Sequence, residues 1–278
     1  MNFKKFSKFV SIALLVLSLV VCLVPMTASA ASGTADYGST SAYGQTATFA
    51  AAIDAANSQS GNVTTYIKLT SNVVVDAHVV IASGRNIVID LNGNTISLAA
   101  DKMDGIFEVA GNLTINDSRT TGKITGARGD SAVKLTGQGQ FTLNAGEIRG
   151  NAGGSDAGGV YVPSGTSFVM NGGRIHNNNT NSGKAGGVYV EGNIHLTGKA
   201  KIDTNFLGGT VENGIANGSY TKSNLCLASG AIINASNLTN ANAIGISTVA
   251  IPTVGSPVVI TKPAEADLSK NFTTDNSA

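Results

Sequence analysis

The tetrapeptide Gly159-Val160-Tyr161-Val162 returns 28 residues later as Gly187-Val188-Tyr189-Val190. A fixed period of this length limits the fold more than any composition figure, because like segments stack on like segments in repeat architectures. The same apolar-x-apolar unit stands at Val79/Ile81, Phe107/Val109, Val133/Leu135 and Leu225/Leu227. Each unit is soon followed by a glycine-containing turn, at Gly84, Gly111, Gly137, Gly165, Gly192 and Gly230. A second apolar pair follows most turns: Ile89/Leu91, Leu113/Ile115, Phe141/Leu143, Phe168/Met170 and Ile194/Leu196. A third column holds Ile96, Ile124, Ile148, Ile175 and Ile202, spaced by 28, 24, 27 and 27 residues.

Alternation of apolar and polar residues over three to five positions makes a strand with one buried face. Three such strands per repeat keep like residues in register if the chain coils, climbing one strand spacing, about 4.8 Å, per turn. The expected fold is therefore all-β, a single-stranded parallel β-helix. Ile67/Leu69 and Val73/Val75 extend the pattern toward the N-terminus, which makes about seven coils. Asn151, Asn178 and Asn205 each follow a third-column Ile by three residues, a spacing that predicts stacked amides at one corner. The longest interval, Ile202 to Leu225, reads as a protruding loop.

Both ends of such a stack need covers. Thr48 to Asn57 is patterned as a capping helix, with Phe49, Ile53 and Ala56 on one face. The domain reading is 31–61 for lead-in and capping helix, 62–234 for the coils, and 235–278 for a closing cap with strands at Ala243–Ser247 and Pro257–Ile260. Residues 1–30 read as a signal peptide: Lys4, Lys5 and Lys8, an apolar run from Phe9 to Val24, then Ala28-Ser29-Ala30, with cleavage after Ala30. The expected product is secreted or held at the cell surface, without a membrane span in the mature chain, and monomeric.

The chain has 18 basic and 17 acidic residues; without the three leader lysines the balance is 15 against 17, or −2. A near-neutral chain has no long-range field to gather nucleic acid or anionic lipid, so nucleic acid is excluded as a partner. Cys226 is the one cysteine beyond the leader, so no intramolecular disulfide forms there.

The leader, the capping helix, the run Ile89-Asp90-Leu91-Asn92-Gly93 and the Gly-Gly-Val-Tyr-Val repeats resemble the right-handed parallel β-helix domains of bacterial secreted and cell-surface, adhesin-like proteins. The segments from Asn224 to Gly230, Ala243 to Ile246 and Phe272 to Asn276 look like the terminal part of such domains. The resemblance implies a right-handed helix and a surface role, and its motifs specify architecture rather than activity. Relatives of this kind often carry a wall anchor. This chain stops at Ala278 with neither a Leu-Pro-x-Thr-Gly signal nor a hydrophobic tail, so the expectation is a freely secreted protein or a fragment.

β-Helices also carry pectin-degrading enzymes, whose chemistry on this fold would draw on acids at neighbouring outward positions. Glycoside hydrolysis needs two facing carboxylates, and calcium-assisted elimination needs several around one ion. The outward rows predicted by the repeat hold no two acids on adjacent coils, and no catalytic, cofactor or metal residue is assigned. Acids meeting from loops, Asp101 with Asp104 or Asp130 with Asp156, keep a polysaccharide lyase or glycoside hydrolase acting on an acidic polysaccharide as the alternative. Tyr161 and Tyr189 should stack outward and can support a sugar ring, or merely cover the sheet. Arg149 and Arg174, with Lys123, Lys201 and His176, can contact an acidic glycan, or pair with Glu147 and Asp203. Arg128-Gly129-Asp130 is an Arg-Gly-Asp tripeptide in a turn, a motif that turn chemistry also produces. His176 and His195 lie on different faces and read as solvated histidines rather than metal ligands, and Gly153-Gly154-Ser155-Asp156 reads as a corner loop. The functional expectation is a non-catalytic adhesin-like or display module whose partner is an extracellular glycan or a host or cell-surface protein.

Overall fold

The computed structural model describes residues 31–212, 215–241, 244–250, 252–261 and 269–275; the leader at 1–30 lies outside the described residues. The chain forms a parallel β-solenoid of about seven coils with three faces. The first face stacks Val79–Ile81, Phe107–Val109, Val133–Leu135, Val160–Val162, Val188–Val190 and Leu225–Leu227. The second stacks Thr64–Leu69, Asn86–Asp90, Asn112–Asn116, Gln140–Leu143, Ser167–Met170, Asn193–Thr197 and Ile233–Ser236. The third stacks Val73–Val75, Thr95–Leu98, Lys123–Thr125, Glu147–Arg149, Arg174–His176 and Lys201–Asp203.

Register follows the repeat. Ile96, Ile124, Ile148, Ile175 and Ile202 pair in sequence along the third face. Phe107, Val133, Val160, Val188 and Leu225 do the same on the first. These side chains are fully or almost fully buried, because strand alternation turns every second residue into a dry shared interior. Phe141 and Phe168 stack in that interior with ring centroids 5.2 Å apart and planes 9° apart. Such a pair adds roughly 0.5–1.5 kcal/mol beyond its burial.

One stretch of the second face differs from expectation. Leu113 and Ile115 pair with Ile87 and Ile89, not with Ile89 and Leu91. The strand ends at Asp90, whose carboxylate accepts the Asn92 N–H at 2.8 Å and the Ser118 N–H at 2.9 Å. Asn92 and Gly93 then take positive φ, 49° and 78°, so Leu91 enters the core from a turn. In the first coil the same shift pairs Thr65 and Ile67 with that strand, and Leu69 follows as a buried strand end.

The N-terminal edges are covered one by one, as exposed edges require. Thr34–Gly38 pairs antiparallel with the first second-face strand, and Ala31–Ser32 with the first third-face strand. Residues of the lead-in thus supply β-structure. The helix Phe49–Asn57 (α1) is capped by Thr48, whose hydroxyl accepts the Ala51 N–H at 3.2 Å. Its last residue, Asn57, closes the first face: its amide donates to Val80 O at 2.8 Å and accepts from Ala82 N at 3.0 Å.

At the other end, Ile244–Thr248 covers two faces at once. Ile244 pairs with Ile202 of the third face and Ile246 with Leu225 of the first. Phe272–Thr274 then lies parallel on Ile244–Ile246. The expected strand at Pro257–Ile260 is not one. Ile260 O only accepts the Ile233 N–H at 2.8 Å, and Thr261 makes a single bridge to Ile233. Two of its residues carry the reason: Pro257 has no N–H to donate, and Val259 faces solvent.

The corner between the third and first faces carries a buried amide ladder. Asn151 Nδ2 donates to Asn178 Oδ1 at 2.8 Å, Asn178 Nδ2 to Asn205 Oδ1 at 2.9 Å, and Asn205 Nδ2 to Asn224 Oδ1 at 3.1 Å. Asp275 ends it, accepting from Asn224 Nδ2 at 2.6 Å and Asn224 N at 2.5 Å. Gly245 passes beneath. A Cβ there would sit 2.0 Å from Asp275 Oδ1, so only glycine fits. The loops leaving this corner form a four-stranded side sheet, in which the long interval after Asn205 is an antiparallel hairpin, Phe206–Glu212 with Ile215–Lys222.

Candidate binding surface

The outward row of the first face reads Val80, Glu108, Lys134, Tyr161, Tyr189, Cys226 and Ser247 from one end to the other. Its N-terminal half is flanked by paired polar side chains. His78 Nδ1 lies 3.0 Å from Asp104 Oδ1, and Nε2 lies 3.6 Å from Glu108 Oε2. Lys134 Nζ is 3.0 Å from Asp130 Oδ2. Burial works to raise the Asp104 carboxyl, but hydrogen bonds from the His78 ring and backbone and from Gly105 outweigh it, so it titrates below its ordinary range. The hydrogen bond to Asp130 raises Lys134.

The C-terminal half is aromatic. Tyr161 and Tyr189 stack with centroids 5.7 Å apart and planes 9° apart. Tyr161 OH donates to Glu191 Oε2 at 2.9 Å. Burial first, and the Glu191 carboxylate second, push the Tyr161 phenol far upward and Tyr189 up to about 12. The two rings are not an open platform. Tyr189 is only 6% exposed, packed with Ala157, Ala185 and Cys226 under the corner loops, so Tyr161 is the more accessible ring. Burial also raises the Cys226 thiol, which makes it a weak nucleophile.

Glu191 lies on the rim of a shallow depression of about 300 Å³ at the corner between the first and second faces. Three turns and the starts of two following strands line it: Ser164-Gly165; Glu191-Gly192 with Asn193; and Gly230 to Ile232 with Asn234. The turns belong to adjacent coils, because Val162, Val190 and Leu227 pair in sequence just before them.

On the third face the cations are largely engaged by neighbours. Arg174 holds Asp203 with two bonds, Nε–Oδ1 at 2.7 Å and Nη2–Oδ2 at 2.8 Å. Burial would raise Asp203, but Arg174 and Lys201 outweigh it and hold the carboxyl low. Arg149 lies 3.8 Å from Glu147. His176 is not solvated as expected: it is 4% exposed, and among the described residues neither ring nitrogen has a well-aligned hydrogen bond. Glu147 Oε2 is 3.4 Å from Nε2 but out of line. Burial, then Arg174, lower its pKa against the pull of Glu147. His195 is half-buried on the second face, with Nε2 3.2 Å from Ser236 Oγ.

The Arg-Gly-Asp turn is tied to the protein. Arg128 Nη1 donates to Ala99 O at 3.3 Å and Ala100 O at 3.4 Å, while Asp130 serves Lys134; Gly129 alone of the three is exposed. The structure thus brings Tyr161 and Tyr189 together on one face, keeps Arg149 and Arg174 on another, and holds Arg128 and Asp130 at a corner. Sequence reasoning missed Glu191, Asn193 and Asn234, which gather only because three turns stack. It also missed His78, whose partners are 26 and 30 residues away. The signal for Glu191 was present: it directly follows a first-face pair whose outward residue is Tyr189. No protein-family model matches the chain, and no curated protein and no solved structure matches it either.

Proposed function

We propose that the protein is a non-catalytic β-solenoid that binds extracellular glycans or proteins through its lateral surface, as an exported, adhesin-like module. The observation that carries this reading is the Tyr161–Glu191 pair beside a polar depression of about 300 Å³, held on a rigid stack of coils. Side chains on stacked strands are well suited to presenting fixed contacts, since little motion must be frozen on binding.

Two outward carboxyls are in the reverse of the state that a glycosidase acid needs. A glycosidase acid must be held protonated, which means a raised pKa in a cleft. Asp104 and Asp203 shift the other way, each locked to a base. Asp275 shifts upward but lies buried beneath the amide ladder. The test is a glycan array run with and without calcium, alongside an assay for unsaturated sugar released from polyuronates. Saturable array binding without turnover is the expected result. Turnover of a polyuronate that a single Asp→Asn change abolishes would overturn the proposal in favour of a lyase or hydrolase.

A further inference from the structure

The depression at the corner between the first and second faces has the chemistry of a subsite for one class of sugar. Its lining combines a carboxylate (Glu191), two amides (Asn193 and Asn234), a hydroxyl (Ser164) and the partly exposed apolar side chain of Ile232. Carboxylates and amides accept and donate to adjacent sugar hydroxyls, and apolar side chains cover the C–H face of a pyranose ring. The three turns span two coil steps, roughly 10 Å along the axis. Together with a volume of about 300 Å³, that suits one or two sugar rings, not a polymer cleft or a protein side.

Charge decides the class of sugar. Among the described residues Glu191 is the one charged group of the lining, and these residues supply no cation to receive an anion. Tyr161 OH binds Oε2 at 2.9 Å and fixes where the carboxylate points, so Tyr161 acts as a positioning residue. A uronate or sulfate placed there would meet a like charge at close range. We infer that this corner binds a neutral hexopyranose unit of a glycan and discriminates against acidic sugars. The inference rests on the glycan-binding reading above and narrows it.

The experiment is a heteronuclear NMR titration of the purified protein with methyl glycosides and disaccharides of glucose, galactose and mannose, against glucuronic and galacturonic acid. At least one neutral sugar should shift the amide signals of Gly192, Asn193, Ala231 and Asn234. The uronates should bind at least tenfold more weakly. Glu191→Ala and Asn234→Ala should each weaken neutral-sugar binding at least tenfold while the circular dichroism spectrum of the folded coils is retained; Asn234 also donates to Ile194 O at 3.5 Å, so a small drop in its thermal midpoint is expected. Glu191→Gln should keep neutral-sugar binding and narrow the gap to uronates. Tyr161→Phe, which frees Glu191 but keeps the ring, should weaken binding less than Glu191→Ala. Uronates binding as well as neutral sugars, shifts confined to other faces, or variants indistinguishable from wild type would each overturn the inference. Array binding that survives Glu191→Ala would sink this subsite while leaving the broader reading intact; a wild-type protein that captures no glycan would sink both.

Discussion

Replacing Asn178 by Ala tests how the coils are held together. The residue is fully buried in the middle of the corner ladder. Its amide donates to Ile148 O at 2.9 Å and to Asn205 Oδ1 at 2.9 Å. Its Oδ1 accepts from Asn151 Nδ2 at 2.8 Å and from Asn151 N at 3.2 Å. Four bonds at about 1 kcal/mol net each make a loss of about 4 kcal/mol. The Asn151 N–H is left without its side-chain acceptor, which works in the same direction. Asn144 is the internal control. It too stands mid-ladder, donating to Asn116 Oδ1 at 2.8 Å and accepting from Asn171 Nδ2 at 2.7 Å, but at an exposed position. Water replaces those partners, so Asn144→Ala should cost under about 1 kcal/mol. Urea unfolding followed by circular dichroism measures both, with the slope checked for loss of cooperativity, since stacked repeats can uncouple. Equal costs for the two variants, or a loss below about 1 kcal/mol for Asn178→Ala, would refute the view that the buried amide ladder adds stability of its own beyond the apolar rows.

The remaining predictions concern other parts of the stack. Phe168→Ala removes one ring of the Phe141 stack from a fully buried site and should cost about 3–5 kcal/mol by the same unfolding assay. Gly245→Ala forces a methyl group into Asp275 and should release the C-terminal strand Phe272–Thr274; faster amide exchange at 272–275, with coils near Ile148 unaffected, is the expected signature. His176 is buried with its pKa below the ordinary value, so the unfolded chain binds the proton more readily. Its contribution therefore holds above the ordinary histidine pKa and is lost as pH falls through it toward the folded value. Stability measured from pH 7.5 to 5 should drop more steeply in wild type than in His176→Gln; parallel curves would count against this account.

Much of the architecture was legible in the residues. The rows Ile96 to Ile202 and Phe107 to Leu225 reveal the stack because a dry interior demands an apolar residue at every inward position, whatever the loops do. The Asn151–Asn178–Asn205 spacing likewise showed through, since each rung needs the same donor and acceptor. The ladder's last two rungs did not. Asn224 arrives after a hairpin and Asp275 from 51 residues further on, so no period announces them. The Leu91 register slipped for a related reason: a turn residue can be as buried as a strand residue, and hydrophobicity alone does not distinguish them.

Sequence by itself therefore determined the coiled, three-faced, parallel form and the identity of its buried rows, because period and polarity are properties of the chain read in order. Tertiary structure alone decided which outward groups are available. Tyr189 is covered, His176 is sealed in, Arg128 and Asp130 are tied to their own protein, and Glu191 meets Asn193 and Asn234 at a corner. The physical reason is that exposure and ion pairing depend on what the adjacent coil and its loops place nearby, and loops are the part of each repeat that does not repeat.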